Sequence, residues 1–174
     1  MAILFLVSIE CGSSKAPADA VADFLRGRAQ LPSGRTAEYG GHCLQDDEGE
    51  WWVTVGADGI STSGGRNERE VHDLVELAVC WYGRMRELAC PDFRYGQAGL
   101  EVDRFATRRE LAQAGFFDSS RSGLILREDL WHEAMCPEGF ETFKPGFVWR
   151  PYGGEYVRDQ GAWRLIPPAQ ERTP

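Results

Sequence analysis

The segment between Asn67 and Ala89 constrains the fold most, because it predicts one long helix with a wide apolar face. Apolar side chains recur there at the i, i+3, i+4, i+7 spacing of an amphipathic helix: Val71, Leu74, Val75, Ala78, Tyr82, Met85 and Leu88. Leu77 and Trp81 widen this face toward full burial. Asn67 is a favourable N-cap, and Pro91 ends the helix. A helix with such a face has to pack against another layer of the protein.

Short segments of strand composition surround this helix. Residues 2–9 predict a buried strand, and Trp51 to Ile60, with turn signals at Gly56 and Asp58-Gly59, predicts a hairpin. Further strands are predicted within 95–105, 123–126, 147–152, 155–157 and 163–166. Helices are predicted from about Pro17 to Gln30, over 107–114 and over 127–135, whereas residues 31–49 show no pattern and are treated as a loop.

This order of elements predicts an α+β fold. We expect a single domain over residues 1–166, with a mixed, mostly antiparallel sheet and helices packed on one face. Residues 167–174 are rich in proline and polar side chains and predict a flexible C-terminal tail. A chain of 174 residues is of ordinary length for one domain with a core of its own.

The charge balance narrows the partners that the chain can bind. The formal net charge is −8, which disfavours nucleic acid and anionic membranes and favours a basic partner protein. Five cysteines without paired spacing predict reduced thiols in the cytoplasm rather than a disulfide framework or a metal site. The apolar start lacks a basic n-region and a cleavage signal, so we expect a strand there and not a signal peptide. The sequence indicates no metal and no cofactor.

Histidines are the first place to look for catalysis. His42-Cys43 and His132-Glu133 are neighbours in sequence, so regular structure points their side chains in different directions. His72 and Glu76 share a helix face, but the H-E-x-x-H motif is absent. We therefore expect a protein that is not an enzyme, and a small hydrolase using His132-Glu133 or His42-Cys43 is the alternative.

Acidic clusters beside aromatic residues are the stronger candidates for function. They are either ordinary solvated surfaces or a docking surface, on which carboxylates steer a basic partner and aromatic side chains anchor it. The candidate binding residues are Asp46, Asp47, Glu48, Glu50, Trp51, Glu128, Asp129, Trp131, Glu133, Tyr152 and Glu155.

The C-terminal half carries a resemblance to a known class of proteins. The stretch Gly123 to Trp131, the pair Gly139-Phe140 and the stretch Pro145 to Glu155 resemble small bacterial immunity proteins of polymorphic toxin and type VI secretion systems. They resemble in particular the immunity proteins whose cognate toxins carry restriction-endonuclease-like nuclease domains. The resemblance implies a protein that binds a toxic effector and covers its active site or blocks its assembly. A phage or mobile-element adaptor that binds a host protein is a further alternative.

Overall fold

A computed structural model describes residues 5–58, 60, 67–89, 93–100, 122–159 and 162–169. The helices are α1 (Lys15–Phe24), α2 (Glu68–Glu87) and α3 (Glu128–Glu133). The strands are β1 (Phe5–Glu10), β2 (Gly27–Gln30), β3 (Thr36–Gln45), β4 (Trp51–Ala57), β5 (Tyr95–Leu100), β6 (Ile125–Arg127), β7 (Glu141–Lys144), β8 (Phe147–Trp149), β9 (Glu155–Asp159) and β10 (Ala162–Ile166). No helix in these ranges is long and apolar enough to cross a membrane.

Eight strands form one open sheet in the order β2-β3-β4-β1-β5-β6-β8-β7. Each pair of neighbours in it is antiparallel. Strands β9 and β10 pair separately as an antiparallel hairpin. Strands β4 and β5 lie on the two sides of β1. The connection from β4 to β5 therefore crosses over β1, and it contains α2. The predicted α+β fold with one mostly antiparallel sheet is confirmed.

The main core lies between one face of the sheet and the two longer helices. Val7 and Ile9 of β1 point into it, and Trp81 of α2 is fully buried there. The Trp81 ring stacks on Phe5 with a centroid distance of 5.6 Å. Asn67 caps α2 as predicted, since its side chain accepts a hydrogen bond from the Glu70 N–H at 3.0 Å. The apolar face identified in the sequence is therefore the face that packs on the sheet.

The opposite face of the sheet carries a second, smaller cluster. Its buried members are Trp52, Tyr95, Leu124, Leu126, Leu130 and Val148. Leu130 belongs to α3, whereas the other members belong to strands or lie beside them. The two longer helices share one face, whereas the short third helix covers part of the other face. The prediction that the helices pack on one face is therefore wrong for α3.

The hairpin predicted within Trp51 to Ile60 is wrong. Residues 51–57 form the single strand β4, which pairs with β3 on one side and β1 on the other. Gly56 lies inside this strand and not at a turn. A Cβ atom on Gly56 would lie 3.1 Å from the Leu6 side chain, so the glycine permits close packing of β1 against β4.

The N-terminal third contains two strands that the pattern did not reveal. The helix predicted to about Gln30 ends at Phe24, and residues 27–30 form the edge strand β2. The supposed loop 31–49 contains the ten-residue strand β3. Gly41 in β3 faces α1, where a Cβ atom would lie 2.9 Å from the Ala22 Cα. A glycine lets the helix pack this closely on the strand. Because glycine is uncommon in strands, it also weakens the sequence pattern from which a strand is predicted.

Other differences concern the C-terminal half. Strand β7 was not predicted, whereas β6, α3, β8, β9 and β10 occupy the segments in which strands and a helix were expected. The helix predicted over 107–114 lies outside the described residues, as does most of the proposed tail. Ile166 of β10 is 1% exposed and belongs to the main core, so the C-terminal hairpin packs with α2.

Candidate functional site

Two acidic segments that are far apart in sequence lie at the same end of the eight-stranded sheet. The β3–β4 turn lies there, and so do the last residue of β1 and the first residues of α3, because Glu10 pairs with Trp52 and Tyr95, and Tyr95 pairs with Leu126. We call this surface the acidic end. It comprises Glu10, Asp46, Asp47, Glu48, Glu50, Glu128 and Asp129.

The sheet sets the width of the acidic end. Strands β4, β1, β5 and β6 are consecutive neighbours, so the β3–β4 turn and the start of α3 are separated by about 14 Å, three strand spacings of about 4.8 Å. That separation exceeds the Debye length of about 8 Å at physiological ionic strength. Repulsion between the two segments is therefore largely screened, while both can face the same partner.

Asp46 organises the β3–β4 turn. Its Oδ1 accepts hydrogen bonds from the backbone N–H groups of Glu48 and Glu50, both at 2.9 Å. Its Oδ2 accepts a hydrogen bond from the Trp52 Nε1–H at 2.7 Å. Asp47 and Glu48 at the tip are exposed. Asp46 thus fixes the turn, and the next two carboxylates are presented to solvent.

Glu10 is a buried carboxyl beneath this turn. Its side chain is 3% exposed and accepts a hydrogen bond from the Gly12 N–H at 2.8 Å. Arg94 lies between Glu10 and Glu50, with Nη1 at 3.6 Å from Glu10 Oε1 and Nη2 at 3.4 Å from Glu50 Oε2. One guanidinium is therefore shared by two carboxylates at distances longer than those of a tight ion pair.

The proton affinity of Glu10 reflects this arrangement. Burial raises the pKa of the Glu10 carboxyl to about 7, against the lowering effects of Arg94 and of the Gly12 N–H. The negative charges of Glu50 and Asp46 raise the pKa further. A buried carboxyl that changes its charge near neutral pH is typical of a functional site and also of a structural ion-pair network.

Three aromatic side chains lie next to the carboxylates of the acidic end. Trp52 and Tyr95 flank Glu10 on the neighbouring strands, and their rings meet edge to face with a centroid distance of 5.2 Å. Trp51 is half-buried, and the Lys15 ammonium lies 5.4 Å from its ring centroid. Of these three rings, Trp51 is the one accessible enough to contact a partner.

The start of α3 contributes the second acidic segment. Asp129 binds Arg127 through two contacts, Nε to Oδ1 at 2.7 Å and Nη2 to Oδ2 at 2.5 Å. This pairing lowers the pKa of the Asp129 carboxyl and offsets its charge. Glu128 is exposed, and its backbone N–H donates to the Gly146 carbonyl at 2.9 Å, which ties the start of α3 to the β7–β8 turn.

Four of the sequence candidates lie away from these two segments. Trp131 and Glu133 are further along α3; the Trp131 ring packs against the second cluster and its Nε1–H donates to the Pro137 carbonyl at 3.2 Å. Tyr152 lies beyond the other end of β8 and is 8% exposed. Its hydroxyl donates to Glu155 Oε1 at 2.9 Å. Tyr152 is therefore a core residue held by Glu155.

The structure does not bring the side chains of His42 and Cys43 together, as the hydrolase alternative required. His42 and Cys43 are consecutive residues of β3 and point to opposite faces of the sheet. Burial and the hydrogen bond with Asp19 raise the pKa of the Cys43 thiol, which disfavours the nucleophilic thiolate. His72 lies 3.7 Å from Glu68 on the preceding turn of α2. His132 contacts Cys136, with Nδ1 at 3.3 Å from Sγ.

Metal-ligating side chains do not converge in the described part of the chain, where no group of three or more histidines, cysteines and carboxylates could hold an ion. No family model, curated protein or solved structure matches this chain.

The contact between Glu10 and Arg94 at the acidic end was not predicted from the sequence. Glu10 is the last residue of β1 and Arg94 directly precedes β5, so their contact depends on the pairing of these two strands. The available signal was a carboxylate directly after an apolar strand. The contact between His132 and Cys136 was also missed, although its i, i+4 spacing is visible in the sequence.

Proposed function

We propose that this chain is a binding protein that neutralises a basic partner protein by docking the acidic end onto it, without itself catalysing a reaction. The observation that carries the proposal is the convergence of residues 46–50 and 128–129 at one end of the sheet. A docking surface needs charges on rigid elements, because ordering flexible side chains and loops costs free energy on binding. Asp46 and the β6–α3 junction supply that rigidity.

The electrostatic part of the proposal rests on three exposed carboxylates. Asp47, Glu48 and Glu128 are exposed, whereas Asp46 and Asp129 are engaged in hydrogen bonds within the protein. Exposed charges of one sign accelerate association with a partner of the opposite sign, and salt weakens the effect. The net charge of −8 acts in the same direction. Trp51 beside the turn is the proposed aromatic anchor.

The class of partner in this proposal comes from the resemblance of the C-terminal half to immunity proteins. We infer that the partner is a toxic effector, a nuclease whose DNA-binding cleft is basic, and that binding covers that cleft in the cytoplasm of the producing cell. A basic cleft built for a phosphate backbone is complementary to a row of carboxylates.

The first test retrieves the partner with the tagged full-length chain from a lysate of the organism that encodes it. We expect one polypeptide in stoichiometric amount, encoded beside this chain, toxic when expressed alone and silenced by co-expression. A retained partner without toxicity, or no stoichiometric partner, would contradict the immunity function.

The second test measures association of the retrieved partner with two matched variants. Asp47→Asn/Glu48→Gln/Glu128→Gln removes three charges at the acidic end, and Glu38→Gln/Asp58→Asn/Glu70→Gln removes three exposed charges elsewhere. At low salt we expect the first variant to associate about tenfold more slowly, on the order of the steering effects seen in charged complexes. The control should lose less than about twofold, and both should converge with the wild type at high salt. Equal rates for the two variants would place the docking surface elsewhere.

A further inference from the structure

A second chemical feature lies at the C-terminal end of α3. The helix ends at Glu133, and the chain then passes through Met135 and Cys136 with φ values of 64° and 54°. Both residues lie in the left-handed region, which is costly for side chains other than glycine. Backbone hydrogen bonds hold the reversal: Met135 N–H donates to the His132 carbonyl and Cys136 N–H to the Trp131 carbonyl, each at 3.0 Å.

This reversal brings a thiol and an imidazole together on the surface. Cys136 Sγ lies 3.3 Å from His132 Nδ1, and both residues are exposed. The Trp131 ring lies against the imidazole with a centroid distance of 5.1 Å and is itself held by its hydrogen bond to Pro137. The imidazole is thus oriented by a fixed neighbour, and a base within hydrogen-bond distance of a thiol is the arrangement that activates cysteine nucleophiles.

The other cysteines of the described residues have different surroundings. Cys11 is fully buried, and Cys80 Sγ lies 3.6 Å from the Tyr39 hydroxyl on the main-core side. Cys43 is half-buried beside Asp19, which together with burial raises the pKa of its thiol. Thiol reactivity requires both thiolate formation and access, and Cys136 is the cysteine of the described residues that combines exposure with an adjacent base.

We propose that Cys136 and His132 form a reactive thiol site that exchanges with low-molecular-weight disulfides such as oxidised glutathione. His132 Nδ1 takes the proton from Cys136 Sγ, and the thiolate attacks one sulfur of the disulfide. The S–S bond of the disulfide breaks, a new S–S bond forms to Cys136, and the leaving thiolate takes the proton from the imidazolium. The small disulfide is the two-electron oxidant, and the products are a mixed disulfide on Cys136 and one free thiol.

The product would occupy an exposed position. Met135 beside it is 88% exposed, so the attached group meets no steric barrier at that residue. Glutathione would place a bulky anionic group on this reversal of the chain. This site is independent of the proposed docking function, because its chemistry needs no partner protein.

Thiol exchange is tested on the purified full-length chain with 5,5′-dithiobis(2-nitrobenzoate) and with oxidised glutathione. We expect a fast phase at pH 7 that Cys136→Ser abolishes and His132→Gln slows about tenfold. The matched control His72→Gln alters an exposed histidine of α2 and should leave the fast phase unchanged. Mass spectrometry of the glutathione product should place the added group on Cys136.

The pH profile separates a base from a structural residue. The fast phase of His132→Gln should rise about tenfold per pH unit between pH 6 and 8, as for a thiol that must ionise in water, and the wild-type rate should rise less steeply. Persistence of the fast phase in Cys136→Ser would overturn the proposal. Identical profiles for the wild type and His132→Gln would also overturn it. If a variant fails to fold, the pH dependence of the wild-type rate is sufficient as a test. A full tenfold rise of that rate per pH unit would contradict assistance by the imidazole.

Discussion

At the scale of single residues, Glu10 shows how one position combines a structural cost with a chemical property. The carboxyl is almost fully buried, yet its neighbours are one shared guanidinium and two further carboxylates. Desolvation disfavours the charged form, and the long contacts to Arg94 do not compensate for it. The folded protein therefore holds a proton on Glu10 up to a pH near 7.

The first prediction concerns the pH dependence of stability. Because the pKa of Glu10 is raised to about 7 in the folded protein, the unfolded chain releases this proton first as pH rises from about 4.5. The free energy of unfolding then falls by about 3 kcal/mol between pH 4.5 and 7, through this group alone. Glu10→Gln removes that fall, whereas the exposed Glu38→Gln leaves it in place. Urea unfolding at pH 5 and pH 7.5 measures the difference, and parallel profiles for all three proteins would contradict the assignment.

At the scale of elements, the β3–β4 turn shows that adjacent acidic residues have different tasks. Asp46 accepts three hydrogen bonds with its two oxygens, and Asp47 is exposed. Sequence patterning treats the two as members of one acidic run, because both side chains are short and charged. The difference arises because the turn directs one carboxylate inward and the next outward.

The second prediction separates these tasks. Asp46→Asn replaces Oδ1 or Oδ2 by an amide donor, so either backbone N–H groups or the Trp52 N–H lose an acceptor. We expect a loss of about 1–3 kcal/mol in the free energy of unfolding, the cost of leaving donors without a partner. Asp47→Asn should change stability by less than about 0.5 kcal/mol. Urea unfolding at pH 7 compares the two, and similar losses would show that Asp46 does not hold the turn.

At the scale of the whole molecule, the C-terminal hairpin joins the main core through α2. Ile166 is 1% exposed within that core, and Arg164 forms an ion pair with Glu68 at the start of α2, with Nη2 at 2.6 Å from Oε2. Among the described residues, the hairpin pairs with no strand of the eight-stranded sheet. Side-chain packing on α2 thus attaches it to the rest of the protein.

The third prediction tests this attachment. Ile166→Ala should lower the free energy of unfolding by about 2–4 kcal/mol, the usual cost of truncating a buried aliphatic side chain. Leu165→Ala alters a neighbour that is 42% exposed and should cost less than about 1 kcal/mol. Both variants should unfold in a single transition in urea. An unchanged midpoint for Ile166→Ala, or a separate early transition, would mean that the hairpin unfolds independently.

The sequence by itself determined the elements whose signals are local. The apolar face of α2 and its Asn67 cap depend on residues within one or two helical turns, and the fold class follows from the order of such segments. Strands β2 and β3 escaped prediction because glycines and polar residues at close-packed or edge positions weaken the strand pattern. The reason for a glycine in β3 is the close approach of a helix, and a local sequence pattern contains no information about that contact.

Only the tertiary structure decided which charged groups meet. Glu50 and Arg94 are 44 residues apart, and residues 46–50 and 128–129 are brought to one end by strands that become neighbours across the sheet. Strand order depends on burial over the whole chain. The sequence of a single strand does not show which other strand lies beside it. The acidic residues could therefore be identified from the sequence, whereas their convergence, the shared Arg94 and the proton held by Glu10 follow from the fold.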